Sequence, residues 1–205
     1  MDIFVQVINL DRSPDRMRDV RDALELQSID FERLSATDGL NLAFADRFAY
    51  KPLRTLAYYG RFLTGGEIGC YRSHLRAAKR FLGSGAAAGL VLEDDATVPA
   101  LAMERLRILL VQLERQAVEW DVVNLGNAPK FARHMDRIAI LEENYALVRA
   151  RVFPKRTTAL LWSREGARWF VDHGHRIYAP VDQFLHSALS ERLTGLALDP
   201  PLMPH

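Results

Sequence analysis

A single cysteine, Cys70, stands among 205 residues. It excludes an intramolecular disulfide and a multi-cysteine zinc site, and it fits a reducing compartment. No apolar run is long enough to cross a bilayer. The opening residues, Met1-Asp2-Ile3-Phe4-Val5, have no basic region, long apolar core or small-residue cleavage site, so no secretory leader is read there. An excess of one charge is missing too, since 27 basic and 26 acidic residues leave a net charge of +1. No sequence-wide field favours nucleic acid or an acidic membrane, and partners have to be recognised locally. Internal repeats and low-complexity segments are also absent. These absences predict a cytoplasmic protein that meets a membrane only peripherally, through a substrate or partner.

What is present is a globular composition, 49% hydrophobic, in a chain of one-domain length. Ile3 to Leu10 reads as a strand, and Ser13-Pro14 as a helix start, with Ser13 able to cap and Pro14 in the first turn. Met17, Val20 and Leu24 form the buried stripe of that helix, and Phe31 to Ala36 a second strand. This β-α-β opening favours a parallel unit. From Asn41 to Leu63 no period survives, and aromatic residues (Phe44, Phe48, Tyr50, Tyr58, Tyr59, Phe62) alternate with Arg47, Lys51, Arg54 and Arg61. The reading is a long connection over the sheet, a kind of segment more often functional than idle.

From Leu63 to Leu82 a helix is predicted, with Glu67, Tyr71 and His74 on a polar stripe facing a pocket and Ile68, Leu75 and Leu82 on a packing stripe. Gly65, Gly66 and Gly69 near its start imply a close backbone approach to a ligand or to the sheet. Leu101 to Gln116 reads as an amphipathic helix packing through Leu106, Leu109, Leu110 and Leu113, and Trp120 to Leu125 as a short strand. Residues 127–156 read as an insertion holding a hairpin around Glu142-Glu143-Asn144. Thr158 to Trp162 returns to the sheet, Ser163 caps a helix, Asp182 is a natural N-cap of the next, and Leu196 to Leu198 form an edge strand. The fold class is α/β: a mostly parallel, Rossmann-like central sheet flanked by helices in one domain over 1–205.

The chemistry concentrates at Gly89-Leu90-Val91-Leu92-Glu93-Asp94-Asp95. Leu90 to Leu92 suit a strand buried on both faces, and three adjacent carboxylates at its end repel one another unless a cation joins them, most simply a divalent metal with oxygen ligands. A strand end in an open α/β sheet is also where ligands bind. A polar loop with an acidic face is the competing reading, just as a satisfied buried imidazole competes for His74.

Several separate stretches bear on the choice. Val7-Ile8-Asn9-Leu10-Asp11-Arg12 with Arg16, Gly66-Glu67-Ile68-Gly69-Cys70 with Ser73-His74, Leu90 to Asp95, Thr157-Thr158-Ala159 through Ala167, and Pro180-Val181-Asp182 resemble, in that order, the motif blocks of glycosyltransferase family 25. That family includes lipooligosaccharide and procollagen galactosyltransferases. The resemblance implies a GT-A-like fold, a UDP-sugar donor, a divalent metal (Mn2+ or Mg2+) and inverting transfer of a hexose, commonly galactose, to a glycan or lipid-linked saccharide. On that resemblance Glu93 and Asp95 are the metal ligands, since residues two apart on an extended segment face one side. Asn9, Asp11, Arg12, Arg16, Ser73 and Asp94 fall to the donor. Asp182 is the first choice of general base, with Glu67 and His74 behind it, while a plain N-cap remains the alternative for Asp182 and surface ion pairing for Arg12 and Arg16. Family members more often carry small apolar residues where Tyr71 and Arg72 stand, and the ending at His205 implies a missing C-terminal segment that covers the donor. Two other functions compete: a non-catalytic nucleotide-sugar-binding or scaffold module of the same fold, and a metal-dependent phosphohydrolase, which lacks its second acidic cluster here.

Overall fold

The computed structural model describes residues 2–130, 135–142 and 145–205. β1 (Ile3–Asn9) leads through Pro14, at the first helical position where its missing N–H costs nothing, into α1 (Pro14–Glu25). Ser13 sits at the N-cap without a side-chain cap bond, contrary to expectation; its carbonyl instead accepts from Asn9 Nδ2 at 2.9 Å. β2 (Glu32–Ser35) and β3 (Ala88–Glu93) flank β1, each parallel to it. The remaining strands are β4 (Val122–Asn124), β5 (Met135–Glu142), β6 (Tyr145–Ala150), β7 (Ala159–Ser163) and β8 (Gly195–Asp199).

All eight join one sheet in the order β2-β1-β3-β7-β4-β8-β6-β5. Parallel pairing holds for β1 with β2, β1 with β3 and β4 with β8, while the other neighbours run antiparallel, so the sheet is mixed rather than mostly parallel. The expected hairpin forms as β5 and β6, its tip residues Glu143 and Asn144 lying outside the described residues. Because β6 pairs with the far side of β8, the last strand is interior and not the edge strand expected.

Alternate residues of β3 serve opposite faces. Leu90 and Leu92 meet α1 and α5 (Ala102–Arg115) through Val20, Leu24, Leu106 and Leu109, whereas Val91 meets the helices of the other layer. That second layer holds α4 (Gly65–Ser84), α6 (Arg164–His173) and α7 (Val181–Arg192), joined by Tyr71, Leu75, Phe81, Trp162, Phe170 and Phe184. Tyr71 packs its ring tilted against Phe170 at 5.8 Å and edge-on to Phe184 at 5.7 Å and is fully buried. It therefore belongs to the core, and the polar stripe expected to face a pocket is split at this residue.

The stretch from Asn41 to Leu63 is not irregular throughout. It contains α2 (Phe44–Ala49) and α3 (Pro52–Tyr59), the latter opened by Pro52 and stopped by Gly60 at φ +82°, a left-handed conformation that a side chain resists. Two helices this short, neither burying an apolar stripe, leave no period to read.

α4 begins with a capping box, Thr64 accepting from the Glu67 N–H while the Glu67 carboxylate takes the Thr64 N–H. Its first turn lies against the loop after β2. A Cβ on Gly65 would enter the carbonyl of Gly39, and one on Gly69 the carbonyl of Thr37. The close approach expected of these glycines is thus main chain to main chain.

Candidate active site

Because β1 connects to β2 on one side and β3 lies on the other, the carboxyl ends of β1 and β3 flank a crevice of the kind that binds ligands in α/β sheets. A cavity of about 540 Å³ opens there, walled by Ile8, Leu10 and Arg12, by Thr37 to Leu40, by the start of α4 and by Glu93, Asp94 and Asp95. A second cavity of about 570 Å³, lined by Tyr59, Glu67, Arg156, Thr157, Thr158 and Asp182, meets the first at Cys70, Glu93 and Asp95. The acidic strand end is thus the partition between two compartments.

Each acid has different partners. Glu93 Oε1 receives Thr157 Oγ1 at 2.6 Å and pairs with His74 Nε2 at 2.9 Å, with Cys70 Sγ at 4.0 Å. Burial is the largest single influence on Glu93 and pushes its carboxyl up, yet the bonds from His74 and Thr157 and the pull of His74 and Arg16 hold it below the usual 4.5. Asp94 is buried, takes Asn9 Nδ2 at 2.7 Å on one oxygen and Arg16 at 2.5 Å on the other. Its carboxyl is raised, by burial first and then by Asp95 and Glu93, against the opposing Asn9 bond and Arg16 charge. Asp95 meets Arg16 at 3.0 Å and His205 at 3.1 Å through Oδ2, while its buried Oδ1 has no partner among the described residues.

The other expected residues divide into those at the crevice and those beneath it. Arg12 and Arg16 line the first cavity, Arg12 tied to Asp38 at 2.5 Å. Ser73 also lines it, its Oγ accepting the Thr37 N–H at 2.9 Å and donating to Gly69 O at 2.7 Å, which fastens α4 to the loop. Asn9 lines neither cavity and instead orients Asp94. Asp11 is occupied outside them by Arg33 at 2.5 Å and Ser35 at 2.8 Å. Glu67 borders the second cavity with both oxygens gripped by Arg61 at 2.9 and 2.6 Å, and that grip first of all lowers its pKa.

Asp182 is the second residue of α7, not its N-cap; that position is Pro180. The chain arrives there along Tyr178-Ala179-Pro180, and a proline fixed near φ −65° is already shaped for helix entry. Among the described residues Asp182 Oδ1 takes only the next N–H, that of Gln183 at 2.7 Å, leaving the carboxylate at the cavity wall. Its charge reaches the junction: the Cys70 thiol is pushed far up, by burial first and then by Glu93, Asp182 and Asp95.

Thr157 belongs to one of the motif blocks, but nothing local foretells that it holds Glu93, and the sequence gives no sign of Arg156, which lines the second cavity at φ +66°. A non-glycine residue in the left-handed region costs about 1 kcal/mol or more, and such strain gathers at functional sites. Nothing in the local pattern of Lys155-Arg156-Thr157 signals that conformation.

The residues fit a divalent cation on two observations: the orphaned Oδ1 of Asp95, and the donor atoms of Cys70, His74 and Glu93 lying within 4.8 Å of one another. Oxygen donors suit magnesium or manganese, whereas the Cys70 thiol, raised by burial, is a poor ligand in that state.

Acid titration tests the Glu93 arrangement. With its folded pKa below the unfolded value, Glu93 contributes stability that is fully present above about pH 4.5 and lost as pH falls through the folded pKa. Urea unfolding from pH 7 downwards is expected to show a steeper acid loss for the parent than for Glu93→Gln. Parallel curves would mean that the His74 and Thr157 bonds do not favour the ionised form.

A family model described as glycosyltransferase family 25 (LPS biosynthesis protein) matches residues 2–185. Procollagen galactosyltransferase 1 of Danio rerio is 32% identical over 126 residues, 60% of this chain and 21% of that protein. The probable inactive glycosyltransferase 25 family member 3 of Bos taurus is 31% identical over 192 residues, 88% of this chain and 31% of that protein. The chain thus spans about a fifth to a third of the length of these relatives. Among solved structures, a glycosyltransferase involved in glycosylation of the major capsid of PBCV-1 aligns over 96% of this chain and 81% of its own, with a TM-score of 0.50 and 9% identity, a likeness of fold.

Proposed function

From the chain's membership of glycosyltransferase family 25, we propose that it transfers a hexose, most simply galactose, from a UDP-sugar to a hydroxyl of a glycan or lipid-linked saccharide. The observation that carries this reading is the pair of cavities meeting at Glu93 and Asp95, one bordered by basic residues and the other by an ionisable acid. A transfer needs two substrates meeting at one bond, and the junction supplies that point.

The first cavity takes the nucleotide diphosphate, with Arg12 and Arg16 able to give guanidinium N–H donors to phosphate oxygens. Arg16 pairs with both Asp94 and Asp95. Asp95 and Glu93 are the residues to hold a divalent cation, Asp95 through its free Oδ1 and Glu93 through the oxygen that His74 and Thr157 leave unused. Such an ion, when bound, offsets the charge that develops on the departing diphosphate. In the second cavity Asp182 accepts the acceptor hydroxyl proton as that oxygen bonds to the anomeric carbon and the bond to the diphosphate breaks. Asp182 is better suited than Glu67, whose oxygens are fixed by Arg61 and the α4 cap. Thr157 and His74 act as positioning residues by holding Glu93.

A donor screen with manganese, reading UDP release with and without saccharide acceptors, tests the proposal. Acceptor-dependent release from one UDP-hexose is the expected result. Metal-dependent UDP binding with no release from any donor would instead identify a nucleotide-sugar-binding module, and release of inorganic phosphate a phosphohydrolase.

The positioning role has its own test. His74 is buried with Nδ1 unpartnered among the described residues, so His74→Gln keeps a polar group near Glu93 with little change in volume, whereas His74→Ala removes it. Alanine is expected to lower transfer about tenfold more than glutamine does, with a smaller gap in urea midpoint. Equal losses in stability and transfer would leave His74 a packing residue.

A further inference from the structure

We infer that the face carried by α2, α3 and the loop before them docks on an anionic membrane surface. Phe44, Phe48 and Leu53 are 83%, 71% and 80% exposed, and Leu40 is 77% exposed. Soluble proteins bury or scatter such side chains, and a cluster of them in one short run marks an interaction surface. Phe44 and Phe48, four residues apart, stack on each other at 6.3 Å in the open, a ridge that makes no use of the protein core.

Charge decides the occupant. Residues 40–62 carry four basic side chains, Arg47, Lys51, Arg54 and Arg61, and one acid, Asp46, which is held by Arg72 of α4 at 2.5 Å. Arg61 is matched by Glu67, but Arg47, Lys51 and Arg54 form no ion pair among the described residues. Lys51 lies over the Phe48 ring at 4.7 Å, and Arg54 over Tyr178 at 3.8 Å. Aromatic and aliphatic groups that enter the headgroup region, flanked by cations that meet anionic headgroups, are the chemistry of an interfacial anchor. A second copy of this chain would bring the same cations against themselves, which disfavours self-association through this face.

The location adds a purpose. Leu40, at one end of the run, lines the first cavity, and Tyr59, near the other, lines the second. A chain docked by this face holds its crevice beside the bilayer, where a lipid-linked saccharide presents its hydroxyl. That purpose rests on the transferase reading; the docking itself does not.

Flotation with vesicles, in the absence of donor, keeps the two apart. The full chain is expected to float with vesicles of phosphatidylcholine and phosphatidylglycerol and to stay behind with phosphatidylcholine alone. Binding is expected to fall about fivefold for Lys51→Gln, the share of one interfacial cation, and at least about tenfold for the double variant Phe44→Ser, Phe48→Ser. These side chains lie outside the crevice, so the double variant should unfold at the parent temperature and release UDP on a soluble acceptor at the parent rate. Equal flotation with neutral vesicles, undiminished flotation of the double variant, or a concentration-dependent dimer that the double substitution abolishes would each overturn the proposal.

Discussion

Asp182→Asn is expected to lower sugar transfer by about 10²- to 10⁴-fold while donor affinity stays nearly unchanged, the range for a positioned acid or base. Asparagine keeps the side-chain oxygen that receives the Gln183 N–H and fits the same wall of the second cavity, so the helix start is preserved. At the second position of α7 the carboxylate lines the second cavity, where an acceptor hydroxyl can approach it. Turnover and UDP affinity measured on one preparation decide the matter. Transfer near the parent rate would remove Asp182 from the chemistry and direct attention to Glu67.

Asp95→Ala is expected to weaken manganese-dependent UDP binding and to lower turnover by roughly 10²-fold or more, the scale for removing a preorganised electrostatic element. The cost in stability should be small. The substitution takes away one of three neighbouring negative charges, and Arg16 keeps its 2.5 Å pair with Asp94. Calorimetric titration with UDP, with and without manganese, separates the effects. If metal-dependent binding is unchanged in the variant, Asp95 is not a metal ligand, and Cys70, His74 and Glu93, whose donor atoms lie within 4.8 Å of one another, become the group to test.

The sequence made the hydrophobic skeleton legible because period-2 and period-3.6 patterns report burial directly. Leu106, Leu109, Leu110 and Leu113 are buried as their spacing predicts, and Leu90 to Leu92 lie in a strand covered on both faces. Reading failed where long-range pairing or a short helix decided the outcome. Leu196 to Leu198 look like an edge strand until β6 joins their outer side, a partner about fifty residues upstream that no local window contains. Tyr71 shares a helical face with Glu67 and His74, but the aromatic layer of α6 and α7 covers it, so a stripe that reads polar is core in the middle. At the crevice, Glu93 and Asp95, which the sequence places on one side of an extended segment, line both cavities, while Asp94 lines the first and is tied to Asn9. Thr157 falls in one of the motif blocks, but its bond to Glu93, 64 residues away, and the left-handed backbone of Arg156 depend on long-range pairing and leave no mark in composition.

The seam between the loop after β2 and the start of α4 has a consequence for how this crevice can diversify. Gly39, Gly65 and Gly69 touch backbone to backbone, and Gly39 and Gly65 line the first cavity. The width of that floor is consequently a property of the main chain and not of any removable side chain. Selection can repaint the walls at Leu10, Ala36 or Leu40 one residue at a time, but even alanine at Gly65 or Gly69 must first part the helix from the loop. Such a site is expected to evolve new acceptors and donors by redecoration at fixed gauge, and a library randomised at the wall positions should yield active variants far more often than one randomised at the seam.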